Sequence, residues 1–149
     1  MYTRYRKGRR QGRAIDNLVQ LPQDATVRAV IDVKGLTDEA FVKSHNIVLC
    51  TKKGIIKKTE LEDFSRPRLT GVNAITIIEG DELLEAKMTD GNSEIMMGVK
   101  SGRAIRFPES KVRPTGRGAI GVTGIEVEND EDEVVGMICV NKDDTERTI

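Results

Sequence analysis

The feature that most constrains this chain is an internal repeat of about fifty residues. Residues 47–58 read IVLCTKKGIIKK and residues 95–106 read IMMGVKSGRAIR. Further matches follow in the same order: Arg66-Pro67 with Arg113-Pro114, residues 71–75 (GVNAI) with 121–125 (GVTGI), and residues 81–84 (DELL) with 132–135 (DEVV). Ordered copies of this length predict a propeller or array in which each copy is one supersecondary unit.

The repeat divides the chain into three units, of which the first is incomplete. Residues 12–15 (GRAI) resemble the stretch that begins at Gly71, and residues 27–33 correspond to the strand around 84–88. We therefore predict a basic tail at 1–11, a partial blade at 12–45, whole blades at 46–92 and 93–141, and a tail at 142–149. The two whole blades are called the first unit and the second unit below.

Each unit is predicted to be made of short strands. Apolar, β-rich runs at 47–51 and 95–99 end at Lys53-Gly54 and Ser101-Gly102, which are typical of hairpin turns. Return strands are expected at 55–59 and 103–107, and further strands at 83–88 and 134–140. One short helix is expected at 37–44, capped by Thr37. The fold class is thus all-β, an incomplete set of two to three propeller-like, four-stranded blades.

Composition limits both the core and the chemistry. The chain has no tryptophan, so the core must be built from Ile, Val, Leu and Met. Cys50 and Cys139 each lie in an apolar run and are expected to be reduced and buried. A single histidine, His45, leaves no plausible metal site, and no cofactor is expected. No apolar stretch approaches the roughly 20 residues of a membrane span, and no secretory signal follows the basic start, so we expect a cytoplasmic protein.

Enzyme chemistry is not expected. There is no glycine-rich phosphate loop with its lysine and no Ser/His/Asp set. The acids Asp81, Glu82, Asp132 and Glu133 do recur, but they precede strands, where a role in the turn is the better interpretation.

Charge is balanced overall, with 24 basic and 24 acidic residues, so its distribution carries the information. Basic character recurs in both units at Lys52/Lys100, Lys58/Arg106 and Arg66/Arg113. Equivalent positions of successive blades are related by a rotation, so recurring cations are expected to form one curved, exposed stripe. Lys57 aligns with Ile105 and is expected to be partly buried, with its neighbour Lys58 on the opposite face of the strand.

Such a stripe suits a bent DNA duplex. Lysine and arginine neutralise phosphates without contacting bases, and bending a site costs on the order of 1–6 kcal/mol that several such contacts must offset. Aromatic residues are only 3% of the chain, which argues against single-strand binding by base stacking. The alternative is a protein-interaction propeller fragment whose charges only solvate its surface. A steep salt dependence of DNA binding would distinguish the two.

Two further charged segments are open to two interpretations each. The N-terminal run contains Arg9, Arg10 and Arg13, with glycines that would let the backbone approach a phosphate, or it is a flexible basic tail. The acidic run at 126–133 is a solvated loop, or it competes with DNA for the basic stripe.

Several ordered motifs resemble the C-terminal domain of the DNA gyrase A protein. They are residues 50–59 (CTKKGIIKKT), 64–68 (FSRPR), 71–75 (GVNAI), 80–84 (GDELL), 102–107 (GRAIRF) and 112–117 (VRPTGR). The corresponding A-type component of topoisomerase IV is similar, with more degenerate blades.

The resemblance covers about Gly12 to Val140, and it implies a β-pinwheel with strands exchanged between neighbouring blades. It also implies a rim that wraps duplex DNA and supports ATP-driven negative supercoiling, together with the rest of gyrase A and with gyrase B. The implied DNA-binding residues are Arg9, Arg10, Arg13, Lys52, Lys58, Arg66, Arg68, Lys100, Arg103, Arg106, Arg113 and Arg117.

This sequence departs from the family pattern in three ways. The family domain usually has about six blades, and here there are two to three. The catalytic tyrosine region and the ATP site of the enzyme are absent, so the chain itself is expected to be non-catalytic. Residues 9–13 (RRQGR) match the family's basic, glycine-rich wrapping box in composition but not in spacing. Because an incomplete blade set leaves open strand edges, we also expect self-association.

Overall fold

The computed structural model describes residues 28–33, 35–66 and 72–142. Within these residues, a short helix α1 (Glu39–Ser44) precedes seven strands: β1 (Asn46–Thr51), β2 (Ile55–Glu60), β3 (Leu83–Thr89), β4 (Ser93–Val99), β5 (Ala104–Pro108), β6 (Val122–Thr123) and β7 (Val134–Asn141). Single 3₁₀ turns at Leu61–Phe64 and Glu109–Lys111 follow β2 and β5.

The strands form two antiparallel sheets, ordered β3-β1-β2-β6 and β5-β4-β7. The sheets repeat each other in detail. The register between β1 and β3 shifts between Cys50 and Thr51, and the register between β4 and β7 shifts between Gly98 and Val99, the equivalent position. The predicted all-β repeat is therefore confirmed.

The first sheet has four strands because one of them, β6, belongs to the second unit. Strand β6 pairs with the outer edge of β2, with Ile55 opposite Thr123 and Ile56 opposite Val122. Gly121, which leads into β6, has φ +103°, and a Cβ there would lie 2.6 Å from the backbone oxygen of Ile56. Only glycine lets the exchanged segment approach this closely. The second sheet has three strands, and no described strand pairs with the outer edge of β5.

Both faces of β1 are buried, which explains its continuous apolar sequence. Because side chains alternate across a strand, Val48 and Cys50 face one way and Ile47 and Leu49 the other. Val48 and Cys50 pack with residues of the second unit such as Met97, in a core between the two sheets. The opposite side chains pack in a second core that includes Val33, Val42 and Phe64.

Two local predictions were wrong. Residues 28–33 form no strand, although Val33 is buried in the second core. The helix begins at Glu39 and is capped by Asp38, not Thr37, because the Asp38 carboxylate accepts from the backbone N–H groups of Ala40 and Phe41. The remainder of the predicted partial blade, residues 12–27, and both tails lie outside the described residues.

No helix within the described part of the chain is long and apolar enough to cross a membrane.

Candidate nucleic-acid interface

The recurring acidic residues accept hydrogen bonds from the backbone of the two hairpin turns, one between β1 and β2 and one between β4 and β5. The Asp81 carboxylate accepts from the N–H of Lys53 (2.9 Å), and the Asp132 carboxylate accepts from the N–H of Ser101 (3.0 Å). In the same way the N–H of Lys52 donates to the carbonyl of Glu82, and that of Lys100 donates to the carbonyl of Glu133. The predicted turn role is confirmed for the side chains of Asp81 and Asp132, whereas Glu82 and Glu133 serve the turns through their backbone carbonyls.

Hydrogen bonding favours the ionised form of two carboxylates near the turns, those of Asp132 and Glu82. Burial opposes ionisation of Asp132, but hydrogen bonds from Ser101 and from the backbone of Glu128 and Glu133 hold its pKa below the ordinary value. At the first turn the hydrogen bond from Lys52, aided by the charge of Arg28, lowers the pKa of Glu82. The charged Asp132 carboxylate therefore holds the second turn, and the charged Glu82 carboxylate pairs with Lys52 at the first.

Three of the predicted DNA-binding cations take part in ion pairs. The Lys52 ammonium lies 3.0 Å from the Glu82 carboxylate. The Arg103 guanidinium lies 3.3 Å from the Glu128 carboxylate, so the acidic run contacts a basic residue of its own unit. Arg106 lies 3.6 Å from Glu94, although its side chain remains 67% exposed.

Lys58 is buried, which corrects the prediction that it lies on an exposed stripe. It is 5% exposed, and its ammonium donates to the carbonyl of Glu109, 3.0 Å away in the second unit. The prediction failed because the second unit covers this face of β2. The equivalent Arg106 is exposed because it lies on β5, whose outer edge pairs with no described strand. Lys57 is buried as well, and more completely than expected.

The remaining predicted cations that the structure describes have no ion pair to a carboxylate of the described residues. Lys100 is exposed at the turn between β4 and β5. Arg66 and Arg113 are exposed just beyond the two 3₁₀ turns, and Arg117 is half-buried in the loop that leads to β6. Arg9, Arg10, Arg13 and Arg68 lie outside the described residues.

These cations fall into two groups rather than along one track. Lys52 and Lys100 lie at the hairpin turns, whereas Arg66 and Arg113 follow the opposite ends of the return strands. A strand of five or six residues separates such ends by about 17–20 Å. Backbone bonds to Lys58 tie the Arg113–Arg117 segment to β2, so Arg113 and Arg117 lie at the junction of the two units.

Comparing the units missed two exposed lysines. Lys53 aligns with Ser101 and Lys111 aligns with Asp63, so neither recurs and neither was selected. Both are exposed and make no ion pair with a carboxylate of the described residues. Aligning the units does not show whether a single side chain is exposed to solvent, and that exposure would have been needed to find these two lysines.

A metal site is not formed by the described residues, among which no group of three or more His, Cys, Asp or Glu side chains is suitably placed. What the fold and the cations define is an array of β-sheet units that exchange strands and expose arginines at their junction.

Comparisons with known proteins agree on one family. The sequence profile of the DNA gyrase C-terminal domain, a β-propeller, matches residues 45–90 and 93–141. The chain is 39% identical over 132 residues to the gyrase A protein of Buchnera aphidicola, covering 89% of this chain and 15% of that protein. It is 41% identical over 114 residues to the gyrase A protein of Clostridium acetobutylicum, covering 76% of this chain and 13% of that protein.

Solved structures show the same fold. The C-terminal domain of DNA topoisomerase IV superposes with a TM-score of 0.74 at 25% identity, covering 87% of this chain and 39% of that one. A DNA gyrase A C-terminal domain superposes with a TM-score of 0.72 at 25% identity, covering 85% of this chain and 40% of that one.

The chain therefore belongs to the family of DNA gyrase C-terminal β-propeller domains. It spans only about 15% of the length of the full-length gyrase A relatives.

Proposed function

We propose that this chain binds and bends duplex DNA with little sequence preference, as part of the wrapping domain of a gyrase A protein. In that setting it supports negative supercoiling without catalysing cleavage, alongside the rest of gyrase A and gyrase B, on the bacterial nucleoid in the cytoplasm. The observation that carries the proposal is the set of arginines without an ion pair to a described carboxylate: Arg66 beyond the first 3₁₀ turn, and Arg113 and Arg117 in the segment bound to β2 at the unit junction.

The candidate cations differ in whether they already have an ion pair, and this determines how readily each can bind a phosphate. A cation that already has a carboxylate neighbour must give up that attraction to bind a phosphate, so Lys52, Arg103 and Arg106 are weaker candidates. Lys100, Arg66, Arg113 and Arg117 carry no such cost, because they have no ion pair to a described carboxylate. Lys58 is withdrawn from the interface, since its ammonium is buried.

The test is DNA affinity as a function of salt. Anisotropy of a labelled duplex of roughly 30 base pairs is measured between about 50 and 200 mM salt. Each phosphate contact contributes about 0.9 to the slope of log K against log salt, so Arg113→Ala with Arg117→Ala should reduce the slope by about 1.8. The matched control is Lys43→Ala with Lys87→Ala, which removes two exposed cations already paired with Glu39 and Glu85.

A protein-interaction module makes the opposite prediction. Its DNA binding would be weak, and the arginine pair and the lysine pair would change it equally. Bending is tested separately. Circular DNA is relaxed by a topoisomerase in the presence of the purified chain, and the writhe that the chain has induced is measured as a change in linking number. Tight binding that leaves no writhe would refute bending while leaving binding intact.

A further inference from the structure

Lys57 is a buried lysine that joins the two units. It is 1% exposed, and its ammonium donates to the carbonyl of Ala74 (2.6 Å) in its own unit. It also donates to the carbonyl of Arg117 in the second unit. Desolvation lowers the pKa of Lys57 below its ordinary value, so the buried charge is held at a cost.

The segment that Lys57 reaches is the inter-unit loop, residues 113–121. The first unit holds this loop at several points. The N–H of Thr115 donates to the carbonyl of Lys58 (2.8 Å), the N–H of Thr76 to that of Ala119 (3.2 Å), and the Thr76 hydroxyl to that of Gly118 (2.6 Å). Lys57 contacts the loop at Arg117, the residue whose side chain is a proposed phosphate ligand.

The blade itself does not require an ammonium at this position. In the second unit the equivalent residue is Ile105, which pairs with Met97 in the same strand register as Lys57 with Leu49. An apolar residue would fill the space in β2 without the cost of burying a charge. The lysine is therefore explained by the two carbonyls that it joins, one from each unit.

We propose that Lys57 is a positioning residue for DNA binding: it fixes the backbone of Arg117 and so places that guanidinium for a phosphate, without contacting DNA. This inference rests on the proposed function, since it requires that Arg117 binds DNA. Lys57 thereby makes the phosphate contact of Arg117, in the second unit, depend on the first unit. The second unit alone would lack this contact.

The experiment replaces Lys57 by methionine, which keeps the length and removes the donors, in the whole chain. Lys53→Met is the control for the exchange measurement only, because it removes the same charge from the exposed turn of the same hairpin, where Lys53 is itself a candidate DNA contact. We expect amide hydrogen exchange at Thr115 and Ala119 to rise at least about tenfold in Lys57→Met and to stay unchanged in Lys53→Met.

DNA affinity then tests the link to Arg117. Lys57→Met should weaken duplex binding by about as much as Arg117→Ala, and the double variant should be no weaker than either, because residues that act through one contact are not additive. Thr76→Val, which loosens the same loop from an exposed residue, should show the same non-additivity if Lys57→Met does not fold.

Two outcomes overturn this inference alone, and a third, which is distinguishable from them, also overturns the proposed role of Arg117. Additive losses for Lys57→Met and Arg117→Ala would mean that Lys57 acts independently of Arg117. Unchanged exchange in the loop would mean that Lys57 does not position it. If neither variant changes DNA affinity while exchange rises, Lys57 only joins the units, and the proposed role of Arg117 fails as well.

Discussion

Charge reversal at Lys58 and Arg106 tests whether equivalent residues of the two units have different environments. In Lys58→Glu the new carboxyl group lies where 5% of the residue is exposed, facing the Glu109 carbonyl oxygen that now accepts from the ammonium. Losing a hydrogen bond from a charged group costs about 1.5–3 kcal/mol. The carboxyl escapes a buried negative charge only by binding a proton.

The free energy of protonating this buried carboxyl group at pH 7 accounts for the rest of the expected loss of stability. An ordinary glutamate pKa of about 4.3 makes protonation at pH 7 cost up to about 3.7 kcal/mol, and the protonated group regains part of the lost hydrogen bond. We therefore expect Lys58→Glu to lower the free energy of unfolding by about 3–5 kcal/mol. Arg106→Glu should change it by about 1 kcal/mol or less, because the Arg106 side chain is 67% exposed and its pair with Glu94 is a surface pair.

Urea denaturation followed by circular dichroism measures both variants, since the chain has no tryptophan for fluorescence. The pH dependence gives an internal check. A buried glutamate has a raised pKa when folded, so its destabilising effect should be small near pH 4 and increase as pH rises. If the two variants unfold at the same urea concentration at pH 7, Lys58 is not buried and the second unit does not cover β2.

Burial, backbone conformation and strand edges each give a further prediction. Burial raises the pKa of Cys50 and of Cys139 from 9.0 to about 12, so the thiols ionise first in the unfolded chain. The free energy of unfolding should therefore fall from about pH 9 upward, by about 1.4 kcal/mol per thiol at pH 10, and Cys50→Ala should reduce this fall in urea titrations. Gly121→Ala should lower the free energy of unfolding by at least about 2 kcal/mol, because the residue has φ +103° and its new Cβ would lie 2.6 Å from the Ile56 oxygen. Gly118→Ala, whose new Cβ would have nothing within 4 Å, should lower it by under about 0.5 kcal/mol; thermal unfolding measures both. The purified chain should self-associate through the outer edge of β5, and light scattering that shows a monomer at high concentration would contradict this.

Much of the fold could be predicted because local chemistry specifies it. The hairpin turns contain glycines at positive φ, Gly54 and Gly102, and both lie where the sequence pattern predicted a turn. Alternating and continuous apolar runs located six of the seven described strands to within one or two residues, and the aligned units indicated that Asp81 and Asp132 serve the turns. They did not indicate the two-residue strand β6, and they indicated a strand at 27–33 where the described residues 28–33 form none. These features depend on residues close together in the chain or on a pattern repeated within it.

The sequence by itself thus determined the repeat, the six longer strands, the turns and the family to which the chain belongs. Tertiary structure alone decided which cations are available. Lys58 and Arg106 are chemically similar and aligned, yet one is covered by the next unit and the other is not. Burial at a junction depends on what packs against a residue from a distant part of the chain, and a repeat makes residues equivalent in sequence without making their neighbours equivalent in space.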